Sequence, residues 1–227
     1  MKNQFLILSI VSIFWINSNA QTTKSLSDFS KVTGFDQIEI HLIKSNENKI
    51  ELKGTNSESV ELVNKSGELK IRMPFGKILK GNDIKATIYF KNLDAVEANE
   101  GSFISSNTTL QTSIFDIIAK EGGKVDLTVQ ASKINIKTSS GAVVTLAGKT
   151  ENIDAVSTAG GILNATNCQT QQATVTVNAG GQIDIKAYDI VDAKARAGGS
   201  IIIYGKPKQV NQKTIFGGNI IVRKDKN

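Results

Sequence analysis

Apolar and polar residues alternate along much of this chain with a period of two. Ile38, Ile40 and Leu42 alternate with polar neighbours, and the same rule holds in three further segments, residues 49–53, 68–73 and 84–90. A period of two is typical of a strand with one buried face, whereas a helix repeats its apolar positions every ~3.6 residues. The pattern predicts an all-β protein.

A glycine flanked by small or acidic residues recurs through the second half of the chain. Successive copies lie 18 to 21 residues apart, which is the spacing of a tandem structural repeat. The marker glycines are Gly101, Gly122, Gly141, Gly160, Gly180, Gly198 and Gly217. Three residues after each glycine stands an aliphatic residue, which gives the column Ile104, Val125, Val144, Leu163, Ile183, Ile201 and Ile220.

Apolar residues two apart on each side of the glycine predict two short strands joined by a turn with positive φ. Coils of about 19–20 residues whose aliphatic positions stack predict a right-handed parallel β-helix. We expect one domain over residues 21–227. Irregular opening coils of the same solenoid are expected over 21–91, and seven glycine-marked coils over 92–227.

The first twenty residues have the features of an export signal. Lys2 precedes an apolar run over residues 5–16 that is too short to cross a bilayer, and Ser18 and Ala20 fit a cleavage site. We expect a mature chain from Gln21 without a transmembrane segment, located in the periplasm, on the outer surface or outside the cell. A retained anchor is the alternative.

Composition narrows the function of this mature chain. Removing Lys2 leaves 26 basic residues against 21 acidic ones, a net charge of +5, which favours solubility and weak attraction to acidic glycans. Few aromatic residues are available for stacking on bases, so we expect no nucleic-acid partner. Cys168 is the single cysteine and cannot form an internal disulfide.

The chain resembles the exported auto-transporter adhesins with a head GIN domain. The resemblance rests on the opening KVTGFDQIEIHLIKSNENKIELKGTNSE, on the tandem glycine coils and on the closing FGGNIIVRK, and it covers roughly residues 29–223. It implies a right-handed β-helix and a role in adhesion, and it supplies no catalytic residues.

Few residues suggest chemistry. His41, the only histidine, has the opposite parity to its apolar neighbours and should face solvent, so an imidazole metal site is not expected. We expect Cys168 to lie in a loop as a buried or half-buried thiol that acts as a small hydrophobic residue, and a reactive thiol is the alternative. No cofactor is expected.

Glu100 and Glu121 each precede a marker glycine, so stacking would bring their carboxylates about 5 Å apart, as in retaining glycosidases. Lys120 lies beside this pair. Weak calcium coordination is an alternative use of the same two residues.

These observations favour a non-catalytic, exported, adhesin-like module that binds a surface glycan or protein through outward polar side chains. The alternative from a different class is a β-helical polysaccharide lyase or hydrolase that uses Glu100 and Glu121. A purely structural role in the envelope is the third reading.

Overall fold

The computed structural model describes residues 22–223 as one 18-stranded sheet wound into a β-solenoid of about 7 turns. Residues 1–20, the expected signal peptide, lie outside the described residues. The first nine strands are β1 (Thr22–Ser25), β2 (Lys31–Gly34), β3 (Glu39–Lys44), β4 (Lys49–Lys53), β5 (Glu61–Lys65), β6 (Glu68–Arg72), β7 (Lys85–Phe90), β8 (Ala95–Ala98) and β9 (Phe103–Ser105).

The remaining strands include four long ones, β12 to β15, that each run through a whole coil. They are β10 (Leu110–Gln111), β11 (Ile114–Ala119), β12 (Lys124–Thr138), β13 (Val143–Ser157), β14 (Ile162–Val177), β15 (Gln182–Arg196), β16 (Ser200–Gly205), β17 (Gln209–Ile215) and β18 (Asn219–Val222). A 3-10 turn at Ser57–Ser59 is the one helical element between residues 22 and 223. Within that range no helix is long and apolar enough to cross a membrane.

Parallel pairing between residues about 19 apart in sequence holds the coils together. Lys124 of β12 pairs with Val143 of β13, and the same register continues to the end of both strands. The coil is slightly longer between β8 and β11, where Val96 pairs with Ile117, and slightly shorter between β15 and β16. The predicted all-β parallel solenoid is confirmed.

The core is the stacked interior of the coils. The column that begins at Ile104 stays at most 2% exposed through six coils, and its seventh member, Ile220, is partly buried. Burial of each Ile or Leu contributes roughly 1.5–3 kcal/mol. The last coil is different at a second core position. Gln212 pairs there with the buried Ala193 of the preceding coil, and Gln212 is exposed.

Each marker glycine is the second residue of a two-residue turn in which both φ angles are positive, as in a type I′ turn. Gly160 has a φ of 74° after Ala159 at 47°, and Gly161 closes the turn by donating its N–H to the Thr158 carbonyl at 2.9 Å. Successive turns are also bonded to each other, since Gly160 donates to the Ala179 carbonyl of the next coil at 3.2 Å.

The second position of each Gly-Gly pair requires glycine for a different reason. At Gly161 a Cβ would come within 2.7 Å of the Thr138 carbonyl carbon, whereas a Cβ at Gly160 would meet nothing within 4 Å. The first glycine therefore supplies the backbone angle, and the second supplies room for the neighbouring coil.

The N-terminal strands belong to the same sheet, but they do not stack in chain order. Lys31 of β2 pairs with Glu68 of β6 on one side and with Ala95 of β8 on the other, so the coil β2–β3 lies between β6–β7 and β8–β9. Strand β4 is antiparallel to β7 and β1, and β5 is antiparallel to β6. Alternation predicted these strands, whereas their order and the antiparallel pairs are a finding of the structure. The antiparallel strand β5 covers the outer edge of β6 at this end of the sheet.

Candidate functional site

One outer face of the solenoid carries a regular column of hydrogen-bonding side chains, which we name the Asp/Asn column. Its members alternate with buried residues such as Phe115 and Ile117, so they point outward from consecutive coils. They occupy equivalent positions in β11 to β15 and β17 and are Asp116, Asn135, Asp154, Thr174, Asp192 and Asn211. At a coil spacing of about 4.8 Å, six residues extend over about 24 Å.

A second column runs beside the first, two residues further along each strand. Its members are Ile118, Lys137, Val156, Thr176, Lys194 and Lys213. Two shallow depressions of about 400 Å³ and about 280 Å³ lie along the two columns, and both are lined by Thr174 and Thr176. The result is one long, shallow groove that crosses the strands and follows the solenoid axis.

Neighbouring side chains fix the orientation of the column. Asn135 donates from Nδ2 to Oδ1 of Asp116 at 2.8 Å, and Asn211 makes the same bond to Asp192 at 2.7 Å. The Nζ of Lys133 lies 2.5 Å from Oδ2 of Asp154. Each carboxylate keeps further acceptor capacity, because an ionised carboxylate has about four lone-pair positions. The groove can therefore accept hydrogen bonds at regular intervals.

The strongest ionic cluster lies at the N-terminal end of the same outer face, around Glu97. Its Oε2 is 2.6 Å from Nζ of Lys31, its Oε1 is 2.8 Å from Nζ of Lys120, and Asn99 donates to it at 3.3 Å. Burial alone would raise the pKa of Glu97, but the hydrogen bonds from Lys120 and Lys31 outweigh it and hold that pKa at about 2. Lys31 also reaches Glu68 at 3.1 Å, so the cluster ties β6, β2 and β8 together.

The two glutamates singled out in the sequence occupy the first position of successive turns. Those turns are bonded directly, because Gly101 donates its N–H to the Glu121 carbonyl at 3.0 Å. Burial raises the pKa of Glu100, and the negative charges of Asp36 and Glu121 raise it further. Lys120, in contrast, binds Glu97.

Asp36 is a third acid near this pair and was not singled out in the sequence. It is 3% exposed, and its carboxylate accepts the backbone N–H groups of Met73 and Leu79, each at 2.8 Å. Between residues 22 and 223, no group of three or more His, Cys, Asp or Glu residues is arranged to hold a metal ion.

His41 contacts a serine of a neighbouring coil, and Cys168 belongs to the hydrophobic core. His41 is half-buried on the outward side of β3, and its Nδ1 lies 3.4 Å from Oγ of Ser105. Cys168 is fully buried, and burial raises the pKa of its thiol to about 12. The expected loop position of Cys168 is wrong, because strand β14 continues past it. The register of β14 shifts near Cys168 in its pairing with β13 and in its pairing with β15.

Solved structures with the same fold include a "putative adhesin" from Bacteroides fragilis, with a TM-score of 0.83, 20% identity and coverage of 90% of this chain and 96% of that one. A "putative adhesin" from Parabacteroides distasonis has a TM-score of 0.70 at 18% identity and covers 91% and 98%. A "putative lipid binding protein" from the same species has a TM-score of 0.68 at 15% identity, also covering 91% and 98%. At these identities the likeness shows the fold.

No curated protein matches this sequence. One family model does match, over residues 28–207, which is most of the chain and includes the interleaved N-terminal strands and the first six marker glycines, whereas the seventh, Gly217, lies beyond it. It confirms the family resemblance of the N-terminal segment and the repeats. The chain belongs to the family described as "Putative auto-transporter adhesin, head GIN domain".

Proposed function

We propose that this protein is a non-catalytic, exported, adhesin-like module that binds an extended glycan along the Asp/Asn column. The observation that carries the proposal is the continuity of the column, which presents a carboxylate, amide or hydroxyl on each of six consecutive coils. Sugar hydroxyls are both donors and acceptors, and a repeated row of such side chains suits a repeating polymer better than a compact ligand.

The shape of the groove supports the same proposal. Its two depressions are shallow and joined end to end, whereas small-molecule sites are usually concave and bury most of their ligand. Ile118 and Val156 add apolar surface beside the polar column, and Val156 is 39% exposed. Apolar side chains set between lysines and beside hydrogen-bonding groups fit the alternating apolar and polar faces of a sugar chain. The family name supports adhesion and leaves the ligand open.

A carbohydrate-active enzyme is the second candidate, and one observation favours it. The raised pKa of Glu100 beside a second carboxylate is the environment that a general acid requires. The opposing observation is that Lys120, the nearest cation in the sequence, is held by Glu97 at 2.8 Å. We therefore rank binding without catalysis first.

The test is a polysaccharide array on which binding and bond cleavage are measured in the same samples. The Asp154→Ala, Thr174→Ala double variant removes two neighbouring members of the column, and we expect it to weaken glycan binding about tenfold or more. Asp126→Ala is the matched control, because Asp126 is an exposed aspartate of β12 that belongs to neither column and pairs with Thr145. The Glu100→Gln, Glu121→Gln variant should bind normally.

Each outcome separates the alternatives. Equal losses in the column variant and in the Asp126 control would refute the placement of the site. Cleavage that disappears in the Glu100→Gln, Glu121→Gln variant would establish the enzyme instead. Binding to a protein partner but to none of the glycans would show that the ligand is a protein.

A further inference from the structure

The loop between β6 and β7 exposes apolar side chains that a soluble protein normally buries. We name residues 74–80, with the sequence PFGKILK, the apical loop. Phe75 is 98% exposed, Ile78 is 49% exposed and Leu79 is 50% exposed. Single exposed apolar residues are ordinary, but three within one short loop form a patch of the kind that contacts a partner or a membrane.

The exposure of the apical loop is built into the fold. Asp36 is buried and binds the backbone N–H groups at both ends of the loop, those of Met73 and Leu79. Leu79 has a φ of 60°, which is costly for a residue with a side chain, and the bond to Asp36 holds it there. A turn bond from the Lys77 N–H to the Pro74 carbonyl at 2.9 Å completes the loop. The loop is therefore preorganised and loses little entropy on docking.

Both charged side chains within the apical loop are positive, and Glu61 and Glu100 line the depression beside Phe75 and Ile78. Residues 70–85 contain five cations against one acid, Asp83. Three of these cations have carboxylate partners, in the pairs Lys70 with Glu68, Arg72 with Glu61 and Lys85 with Glu39. The other two, Lys77 and Lys80, lie within the apical loop and form no ion pair with any of the residues 22–223.

We propose that the apical loop docks on an anionic phospholipid bilayer, with Phe75, Ile78 and Leu79 entering the interface and Lys77 and Lys80 contacting lipid phosphates. An apolar tip with a cationic rim is the pattern of interfacial membrane anchors. Phe75 is almost fully exposed and can enter a bilayer directly, whereas a protein partner would need a matching apolar pocket. This function is separate from the glycan groove and leaves that groove exposed.

The test is flotation of the chain 21–227 with vesicles. That chain contains every described strand and omits the apolar run 5–16, which would bind lipid by itself. We expect binding to vesicles of equal parts phosphatidylcholine and phosphatidylglycerol, and much weaker binding to phosphatidylcholine alone. Phe75→Ser with Ile78→Ser should lower the affinity at least about tenfold, since each buried apolar side chain is worth that much. Lys77→Gln with Lys80→Gln should remove the preference for phosphatidylglycerol.

Phe216 offers a matched control, because it is 90% exposed and lies at the opposite end of the solenoid. Phe216→Ser should not change vesicle binding. Trp15 is the single tryptophan, so a chain that starts at Gln21 has none, and Phe75→Trp introduces a sole tryptophan that can be excited selectively at long wavelength over the three tyrosines. Its emission should shift to the blue with anionic vesicles, whereas that of Phe216→Trp should not.

Three outcomes would overturn the proposal. The first is the absence of vesicle binding by the unmodified chain at low ionic strength, and the second is an equal response of the two tryptophan variants. The third is a concentration-dependent dimer that Phe75→Ser abolishes while vesicle binding is unchanged, which would assign the patch to a second copy of the chain.

Discussion

Replacing Glu97 by glutamine should destabilise the protein near neutral pH and progressively less in acid. The substitution keeps the shape of the side chain but removes its charge, so Lys31 and Lys120 would face a neutral amide. The pKa of the Glu97 carboxylate is about 2 in the folded state, because the two lysines outweigh the effect of burial. The folded protein therefore favours the charged form more strongly than the unfolded chain does.

The magnitude follows from this difference in pKa. A fall from 4.5 in the unfolded chain to about 2 in the fold corresponds to at most about 3.4 kcal/mol. Lys31 is 28% exposed and Lys120 is 46% exposed, so water screens both partners and a gain of about 1–2 kcal/mol is realistic. Because the folded pKa is the lower one, this stabilisation is complete above about pH 5 and is lost as the pH falls towards 2.

Thermal unfolding followed by circular dichroism measures this effect. At pH 7 the Glu97→Gln variant should melt about 2–8 °C below the unmodified protein, and at pH 3 less than about half of the free-energy difference should remain. Glu47→Gln is the control, because Glu47 also pairs with a lysine, at 3.0 Å, but is 64% exposed. A loss at pH 3 as large as that at pH 7, or no loss at pH 7, would refute the reasoning.

Three further predictions concern the turns, the thiol and the buried acid. Gly160→Ala should lower the unfolding free energy in urea by about 1 kcal/mol, because a side chain is strained at a φ of 74°, and Gly160→Asn should cost less; equal stability of all three proteins would contradict this. Cys168 should react with a soluble thiol reagent only after unfolding, because burial holds its pKa at about 12; rapid labelling of the folded protein would show otherwise. Asp36→Ala should lower the unfolding free energy by about 2–4 kcal/mol, because it leaves two backbone N–H groups without an acceptor. Amide hydrogen exchange should also become faster in residues 73–80, and unchanged exchange there would contradict the role of Asp36 in holding the loop.

The glycine-marked coils were predictable because every coil repeats the same two requirements. Gly160 supplies a positive φ, Leu163 fills the core three residues later, and the same pattern recurs in the next coil. The turn preference of glycine and the burial of the aliphatic residue specify the same coil, so the sequence pattern predicts most of the structure of these coils. The second glycine, Gly161, is explained only by the approach of the neighbouring coil at Thr138.

The N-terminal order and the Glu97 cluster could not be predicted in this way. Lys31 and Glu97 are far apart in sequence, and they meet only because the coil β2–β3 is inserted between two later coils. Alternation has the same appearance in parallel and antiparallel strands, so it does not reveal such an insertion. Sequence adjacency also suggested that Lys120 accompanies Glu121, whereas the nearer acceptor in space is Glu97 of the preceding coil.

The interleaved N-terminus determines when the protein can fold. Strand β2 is sandwiched between β6 and β8, so its coil cannot be completed until the chain as far as Ser105 is available. Closing the distant pair Val32 and Val96 costs more chain entropy than closing a pair such as Val125 and Val144, which a single coil separates. The glycine-marked coils can therefore form first and serve as a template, while the N-terminal segment joins last in a slower step. The segment that is synthesised before the glycine-marked coils would then complete the native state after them.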